Sequence, residues 1–202
     1  MTYFPPRTPT WARGVAAAAW PAKPTPGAKF IDLINALGSI EEDGGGFDAA
    51  ISLAKHRRAS KSRVFFIGNG GSAAIASHMA ADWAKTGQFR SQCFTDGALV
   101  TCLGNDLGYD RTCAAPIGIF ADRADLLIAI SSSGASPNIL AGVAEARKIG
   151  MSIITLSGFL PTNPLRQEGT VNFYVPSMKY GTVEITHLAI CHRIRDQVME
   201  GA

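Results

Sequence analysis

The sequence has few charged residues and little net charge. Charged side chains make up 17% of its 202 residues, below the roughly 25% of an average soluble domain. The 19 lysines and arginines exceed the 16 aspartates and glutamates by only 3 charges. This balance lacks the clustered basicity with which proteins bind phosphate backbones, so we expect no nucleic acid partner. Sparse surface charge also favours burial of part of the surface in a homo-oligomer.

Cysteine is scarce and forms no motif. Cys93, Cys102, Cys113 and Cys191 show no C-x-x-C spacing, which excludes a zinc ribbon and a thioredoxin-like redox site. We interpret them as buried thiols in a reducing cytoplasm. A signal-peptide core and a membrane span are also lacking, because the longest uncharged stretch near the start, residues 14–22, is short and rich in alanine. We therefore predict a cytoplasmic protein with no membrane partner.

Proline is infrequent except in the first 26 residues. Six of the 11 prolines lie before residue 27, where fixed φ angles and missing N–H groups oppose helix and sheet. Residues 1–28 are predicted to be an extended arm, either a disordered tail or a strap across a neighbouring subunit. With 47% apolar residues, the chain is too apolar for disorder and too short for two ordinary domains, so residues 29–202 are predicted to be one domain.

Short apolar runs alternate with helical patterns along this domain. Strands are predicted at residues 64–67, 126–130, 152–156 and 171–175. Helices are predicted to begin near Phe30 and Phe47, with a break at residues 41–46, and to cover residues 73–85, 137–149 and 182–198. The first three strands lack alternation, as expected for strands covered on both faces. The order predicts an α/β fold with a doubly wound, mainly parallel sheet and helices on both faces.

Two predicted strands end in loops of small polar residues that lead into a helix. In Gly68-Asn69-Gly70-Gly71-Ser72, the glycines leave backbone N–H groups and a helix N-terminus open to an anion. In Ser131-Ser132-Ser133-Gly134-Ala135-Ser136, hydroxyls and amides can surround a phosphate without lysine or arginine. Structural roles stay open, because the first loop can be a plain connector and Ser136 can cap the next helix. Both loops are expected to face one ligand crevice.

A dinucleotide site is a poor match to the glycine loop. Ala73 stands where the third glycine of G-x-G-x-x-G belongs, although alanine is tolerated there. The candidate ribose-binding acid, in Thr95-Asp96, follows no clear strand end. We therefore do not expect nicotinamide chemistry.

Three motifs together resemble the sugar isomerase (SIS) domain and, within it, the sedoheptulose 7-phosphate (phosphoheptose) isomerases. They are Gly68–Ser72, Gly104-Asn105-Asp106 and Ile130–Ser136. The resemblance implies a flavodoxin-like three-layer sandwich, a phosphosugar substrate, one bound Zn²⁺ per active site and a homotetramer with active sites at subunit interfaces. The positions that it assigns to substrate binding are Asn69, Gly70, Gly71, Ser72, Asp82, Asn105, Asp106, Ser131, Ser132, Ser133, Ser136 and Glu184.

The resemblance also assigns a metal and catalytic set. His78 and Asp82 are four residues apart and share a helix face, and their positions match a metal-binding histidine and a glutamate that is both ligand and base. Glu184 matches a metal-binding glutamine, and His192 a catalytic histidine. The implied ligands of the metal are His78, Asp82, Glu184 and His192, and the catalytic pair is Asp82 and His192. Two carboxylates with two imidazoles also leave Mn²⁺ and Fe²⁺ open.

The spacing within the last predicted helix raises a difficulty. Glu184 and His192 are eight residues apart, about 12 Å of rise on a straight helix. Either Glu184 reaches down from a frayed first turn, or a neighbouring subunit supplies one of the two residues. His187, between apolar neighbours, is interpreted as a core or interface histidine.

The function predicted from these residues is isomerisation of sedoheptulose 7-phosphate to D-glycero-D-manno-heptose 7-phosphate through a metal-assisted enediol. An alternative is a non-catalytic phosphosugar-binding SIS module, like relatives that associate with the replication initiator DnaA. Those relatives lack a carboxylate at the Asp82 position and a histidine at the His192 position, which favours the enzyme. Arabinose 5-phosphate isomerisation and N-acetylmuramic acid 6-phosphate etherase action are disfavoured by the pairs His78/Asp82 and Glu184/His192.

Overall fold

The computed structural model describes residues 29–43 and 46–200. The predicted proline-rich arm, residues 1–28, lies outside the described residues. Within them, the strands are β1 (Glu41–Asp43), β2 (Arg63–Ile67), β3 (Arg90–Cys93), β4 (Leu126–Ser131), β5 (Ser152–Gly158) and β6 (Val171–Val175). They form one sheet in the order β1-β6-β5-β4-β2-β3. All neighbouring strands are parallel except β1, which is antiparallel to β6. The predicted fold class is confirmed.

The helices of the described residues lie on both faces of this sheet. They are α1 (Phe30–Gly38), α2 (Gly46–Ala59), α3 (Gly71–Lys85), α4 (Gly97–Asp106), α5 (Ala114–Phe120), α6 (Pro137–Ile149) and α7 (Tyr180–Met199). Short 3₁₀ helices occur at Tyr109–Arg111 and Pro164–Gln167. The bounds of α6 match the prediction, because Pro137 begins the helix and Gly150 ends it in a left-handed conformation.

The core consists of two layers, one on each side of the sheet. Successive side chains of a strand point to opposite faces, so Phe66 of β2 packs with α2, α3 and α7, whereas Phe65 packs with α5 and α6. In β4, Ile128 and Leu127 divide in the same way. Both layers hold β2 and β4 rigidly, which fixes the loops that leave their carboxyl ends.

Among the described strands and α-helices, β1, β3, α4 and α5 were not predicted from the sequence. The β1 strand occupies a segment predicted to be a break between helices, and it pairs with the sheet edge. Strand β3 is an edge strand of polar residues, and α4 buries none of its residues. Edge strands and surface helices carry weak apolar patterns, so their type depends on tertiary pairing.

Two of the four cysteines differ from the prediction of buried thiols. Cys113 and Cys191 are buried, and burial raises their pKa values to about 11 and about 12. Cys102 is exposed on α4, and Cys93 is partly exposed at the end of the edge strand β3. The prediction is wrong for these two because neither element is covered on its outer side. Across residues 29–43 and 46–200, no helix combines the length and apolar character needed to cross a bilayer.

Candidate active site

A cleft of about 1000 Å³ opens where β2 and β4 end side by side. Both predicted loops contribute to its wall, together with the first turns of α7. The wall is formed by Asn69, Gly70, Gly71, Ser72, Gly108, Tyr109, Asp110, Ser131, Ser132, Ser133, Ser136, Pro137, Asn138, Tyr180 and Glu184. The structure therefore brings the glycine loop, the serine loop and Glu184 to one crevice.

The glycine loop turns β2 directly into α3. Gly70 precedes the helix with a φ of +52°, a conformation that favours glycine. Gly68 lies so close to the next turn that an added Cβ would collide with the backbone oxygen of Ser72. Side chains at these positions would therefore prevent the tight turn that opens the N-terminus of α3 to the cleft.

The carboxylate of Glu184 already occupies the space over this helix start. A Cβ added to Gly71 would lie 2.5 Å from both carboxylate oxygens of Glu184. An anion at a helix N-terminus is stabilised by the helix dipole, yet desolvation by burial raises the pKa of Glu184 above its ordinary value. The Glu184 carboxyl group thus fills the space over the start of α3 at the glycine loop.

The shape of the serine loop is fixed by a neighbouring loop. Ser131 Oγ accepts a hydrogen bond of 3.2 Å from the Gly134 N–H. Gly134 has a φ of +61°, and an added Cβ would collide with the Asn163 side chain. Asn163 Nδ2 donates to the carbonyl oxygens of Gly158, the last residue of β5, and of Leu160, at 3.1 and 2.8 Å. The loop after β5 therefore packs against the serine loop through Asn163 and holds it in place.

Hydroxyls of the serine loop are left available to a ligand. Ser132 Oγ is buried without a hydrogen-bond partner among the described residues, an arrangement that buried polar groups rarely adopt. Ser136 stands at the N-cap position of α6, but its hydroxyl lies 3.3 Å from Ser131 Oγ and makes no capping bond. The capping alternative for Ser136 is therefore not supported, and both hydroxyls suit phosphate oxygens.

Asn138 was missed by the sequence reasoning, although it lines the cleft. Asn69 and Asn138 exchange two side-chain hydrogen bonds of 2.8 Å each. Tyr109 also donates its hydroxyl to Asn69 Oδ1, at 3.1 Å. These bonds tie the glycine loop to α6 and to the 3₁₀ helix that follows α4. Asn138 lies just after the serine loop, but its partner is 69 residues away, so no local pattern reveals the pair.

The predicted residues Asn105 and Asp106 do not line the cleft. They are exposed at the end of α4, where Asn105 Nδ2 donates to Asp106 Oδ1 at 2.7 Å. Gly108, Tyr109 and Asp110, just beyond them, line the cleft instead. A substrate-binding role for Asn105 and Asp106 stays a prediction.

A second polar group lies between α3 and α7, outside the cleft wall. The rings of His78 and His192 are 5.5 Å apart between centroids. Asp82 Oδ2 is 3.7 Å from His192 Nδ1 and 3.2 Å from Arg195 Nη2. Three of the four predicted metal ligands therefore come together, with an arginine among them that the sequence reasoning did not include.

Glu184 stands apart from this group. Since α7 is continuous from Tyr180 to Met199, Glu184 lies in its second turn rather than in a frayed first turn, and the alternative that it reaches down from there is wrong. Eight residues of helix place it about 12 Å from His192 along the axis. His187 is completely buried between them, as predicted. Its Nε2 donates to the Ser157 carbonyl oxygen at 3.1 Å, because a carbonyl oxygen can only accept.

The four predicted ligands do not fit a single metal ion in this arrangement. In the described part of the chain, no three histidine, cysteine or acidic side chains are grouped so that they can hold a metal. Arg195 places a positive charge on Asp82, where a cation would bind. The zinc site stays a prediction from the resemblance.

Comparisons with known proteins identify the family. The model of the SIS domain matches residues 30–158. A phosphoheptose isomerase of Campylobacter concisus is 32% identical over 179 residues, which cover 85% of this chain and 89% of that protein. The structure of phosphoheptose isomerase GmhA from Neisseria gonorrhoeae superposes with a TM-score of 0.73 at 26% identity, over 84% of this chain and 94% of that one. The structure of a phosphoheptose isomerase from Francisella tularensis superposes with a TM-score of 0.68 at 24% identity, over 84% of this chain and 91% of that one.

Proposed function

The chain belongs to the SIS-domain phosphoheptose isomerases, and we propose that it converts sedoheptulose 7-phosphate to D-glycero-D-manno-heptose 7-phosphate. The observation that carries the proposal is the cleft in which the glycine and serine loops meet, in a chain 32% identical to a phosphoheptose isomerase. A cleft of about 1000 Å³ is large enough for a seven-carbon phosphosugar.

The serine loop is the proposed phosphate site. It offers the Ser132 hydroxyl, which has no hydrogen-bond partner among the described residues, and the Ser136 hydroxyl, which makes no capping bond to α6. It also offers the N-terminus of α6. The glycine loop is unsuited to a phosphate because the Glu184 carboxylate lies over Gly71, and two anions at one helix start repel each other. The phosphate end therefore lies on the serine loop, and the sugar hydroxyls extend towards Glu184.

Asp82 and His192 are the proposed proton-transfer pair. Isomerisation requires removal of a proton from C1 of the ketose, formation of an enediol and return of a proton to C2. A carboxylate and an imidazole within 3.7 Å of each other can share these transfers. Asp82 is shorter than the glutamate at this position in the family, so the distance to the substrate carbon is more sensitive to subunit packing.

Assembly into a homotetramer with interfacial active sites is part of the proposal. The pair Asp82 and His192 lies outside the cleft wall of its own chain, so a neighbouring copy is needed to complete the site. Helix α1 exposes an apolar stripe that consists of Phe30, Ile31, Ile34 and Leu37. An exposed stripe of this kind is typical of a subunit interface. A reducing cytoplasm is the proposed location, since the four cysteines are all free thiols.

The test is to incubate the purified protein with sedoheptulose 7-phosphate and measure the aldose product by chromatography. We expect turnover in the wild type, a loss of at least about 100-fold in kcat for His192→Ala and Asp82→Asn, and a raised KM for Ser132→Ala. Binding of the sugar phosphate without turnover by the wild type would refute the isomerase and support the non-catalytic module. Arg193→Met is the control, because Arg193 lies on α7 with its guanidinium over Phe47.

A further inference from the structure

The guanidinium of Arg195 lies at the centre of the polar group between α3 and α7. Its Nη2 is 3.2 Å from Asp82 Oδ2 and 3.3 Å from His192 Nδ1. Its Nη1 donates to Thr86 Oγ1 at 2.7 Å, and Nη2 also pairs with Asp196 at 2.8 Å. The side chain is only 16% exposed. Arg195 is therefore held in place from both helices rather than extended into solvent.

This contact determines which nitrogen of His192 carries the proton. Arginine has only donors, so the His192 Nδ1 at 3.3 Å must accept the bond. A neutral imidazole has a single accepting nitrogen, and Nε2 consequently carries the hydrogen. While Arg195 is in place, neither nitrogen of His192 offers a lone pair to a metal ion. The Nε2–H remains a donor, as an acid in the proposed isomerisation requires.

Asp82 is engaged by the same arginine. Its Oδ2 is buried, 3.2 Å from the Arg195 guanidinium and 3.7 Å from the imidazole of His192. A divalent ion on this oxygen would stand next to a guanidinium that cannot lose its charge. The metal would have to displace Arg195 and its bonds to Thr86 and Asp196.

We infer that Arg195 is the built-in cation of the Asp82–His192 pair, which excludes a divalent metal from it and holds His192 in the Nε2–H form. Arg195 is thus a positioning residue, and removal of its charge leaves Asp82 Oδ2 and His192 Nδ1 open to a metal ion. The inference concerns residues of the proposed active site, but it is tested by metal binding without substrate. A negative result in the metal-binding test would leave the isomerase proposal intact. Absence of isomerase activity would likewise leave the inference about Arg195 intact.

The test measures Co²⁺ and Zn²⁺ binding by the chelator-stripped full chain at pH 7.5. Co²⁺ is followed by its visible absorption, and Zn²⁺ by calorimetry. We expect no stoichiometric site in the wild type and a gain in affinity of at least about tenfold in Arg195→Met. The gain should disappear in Arg195→Met/His192→Ala. Arg193→Met removes the same charge from the same helix and should bind metal as the wild type does.

Two results would overturn the inference. One is a single equivalent of Zn²⁺ bound by the wild type and lost in His192→Ala. The other is an Arg195→Met variant that binds no better than the wild type. Should Arg195→Met fail to fold, long-range ¹H–¹⁵N spectra of the wild type decide the matter. They must show His192 with its hydrogen on Nε2, and a hydrogen on Nδ1 would contradict the contact with Arg195.

Discussion

The Glu184 carboxylate lies over Gly71 so closely that a methyl group on that glycine would be 2.5 Å from both oxygens. The contact joins α7 to the start of α3, and it blocks the backbone N–H groups of the glycine loop as an anion site. Two loops look alike in the sequence as phosphate sites, but this carboxylate makes them different.

Gly71→Ala is expected to lower turnover while leaving the fold intact. The group that the methyl meets is the end of a flexible side chain, so Glu184 turns aside at little cost in stability. A displacement of about 1 Å in a substrate-positioning group lowers rates by about 100-fold. We expect kcat to fall at least about tenfold and Tm to change by only a few degrees. The measurements are steady-state kinetics and thermal unfolding.

The control for this prediction is Gly97→Ala. Gly97 also begins a helix, and an added Cβ there meets no atom within 4 Å. Its kinetics should match those of the wild type. Unchanged turnover in Gly71→Ala would show that the position of Glu184 is irrelevant to the reaction.

Gly134→Ala should weaken substrate binding through the serine loop. Alanine at a φ of +61° is strained, by about 1–2 kcal/mol, and the added methyl also collides with Asn163. The loop must shift away from Asn163, which moves Ser132 and Ser133. We expect KM to rise more than kcat falls, with a lower Tm. An increase in KM in Gly134→Ala/Asn163→Ala as large as in the single variant would show that the collision is not the cause.

The sequence predicts the parts of this site that depend on local patterns. The buried strand before Gly68 and the loops at residues 68–72 and 131–136 are readable because strand, glycine and serine signals lie next to each other. The contact of Asn138 with Asn69 joins residues 69 positions apart, and the contact of Arg195 with Asp82 joins two helices through residues 113 positions apart. Such contacts arise only after the helices pack, so spacing along the chain does not reveal them.

Asn138→Asp tests the link between the glycine loop and α6. The substitution keeps the shape of a buried side chain, but it removes the Asn138 Nδ2–H group that donates to Asn69 Oδ1. Two acceptors would then face each other, and a carboxylate would be buried. We expect the free energy of unfolding to fall by about 1–3 kcal/mol, measured by urea denaturation. Asn105→Asp, at an exposed position on α4, should change stability by far less. Equal effects would mean that the Asn69–Asn138 bonds are not important for stability.

Ile34→Asp is expected to dissociate the oligomer without unfolding the chain. Ile34 is 62% exposed on the apolar stripe of α1, so the single chain tolerates a charge there, whereas a subunit interface does not. Light scattering coupled to gel filtration should show a tetramer for the wild type and smaller species for the variant. Asn35→Asp adds the same charge at the next exposed position and should remain tetrameric. A monomeric wild type would contradict the proposed assembly.

His187 is expected to make the stability of the protein fall in mild acid. Burial lowers the pKa of His187 to about 4, from an ordinary value of 6.5. Between these two values the unfolded chain binds a proton that the folded chain does not, so the contribution of His187 to stability is complete above pH 6.5 and is lost as the pH falls towards 4. The loss amounts to about 3 kcal/mol over this interval. Urea denaturation from pH 7.5 to pH 4.5 measures it.

The reference for this effect is His187→Gln, which keeps an N–H donor for the Ser157 carbonyl but has no group that titrates in this range. At pH 7.5 the variant should be less stable than the wild type, because glutamine fits the histidine cavity less well. As the pH falls, the wild type should lose stability faster than His187→Gln does. The difference between their free energies of unfolding therefore narrows. His56→Gln, at an exposed position on α2, should follow the wild-type curve. Parallel curves for the wild type and His187→Gln would show that the buried imidazole takes up its proton as easily in the folded chain as in the unfolded one.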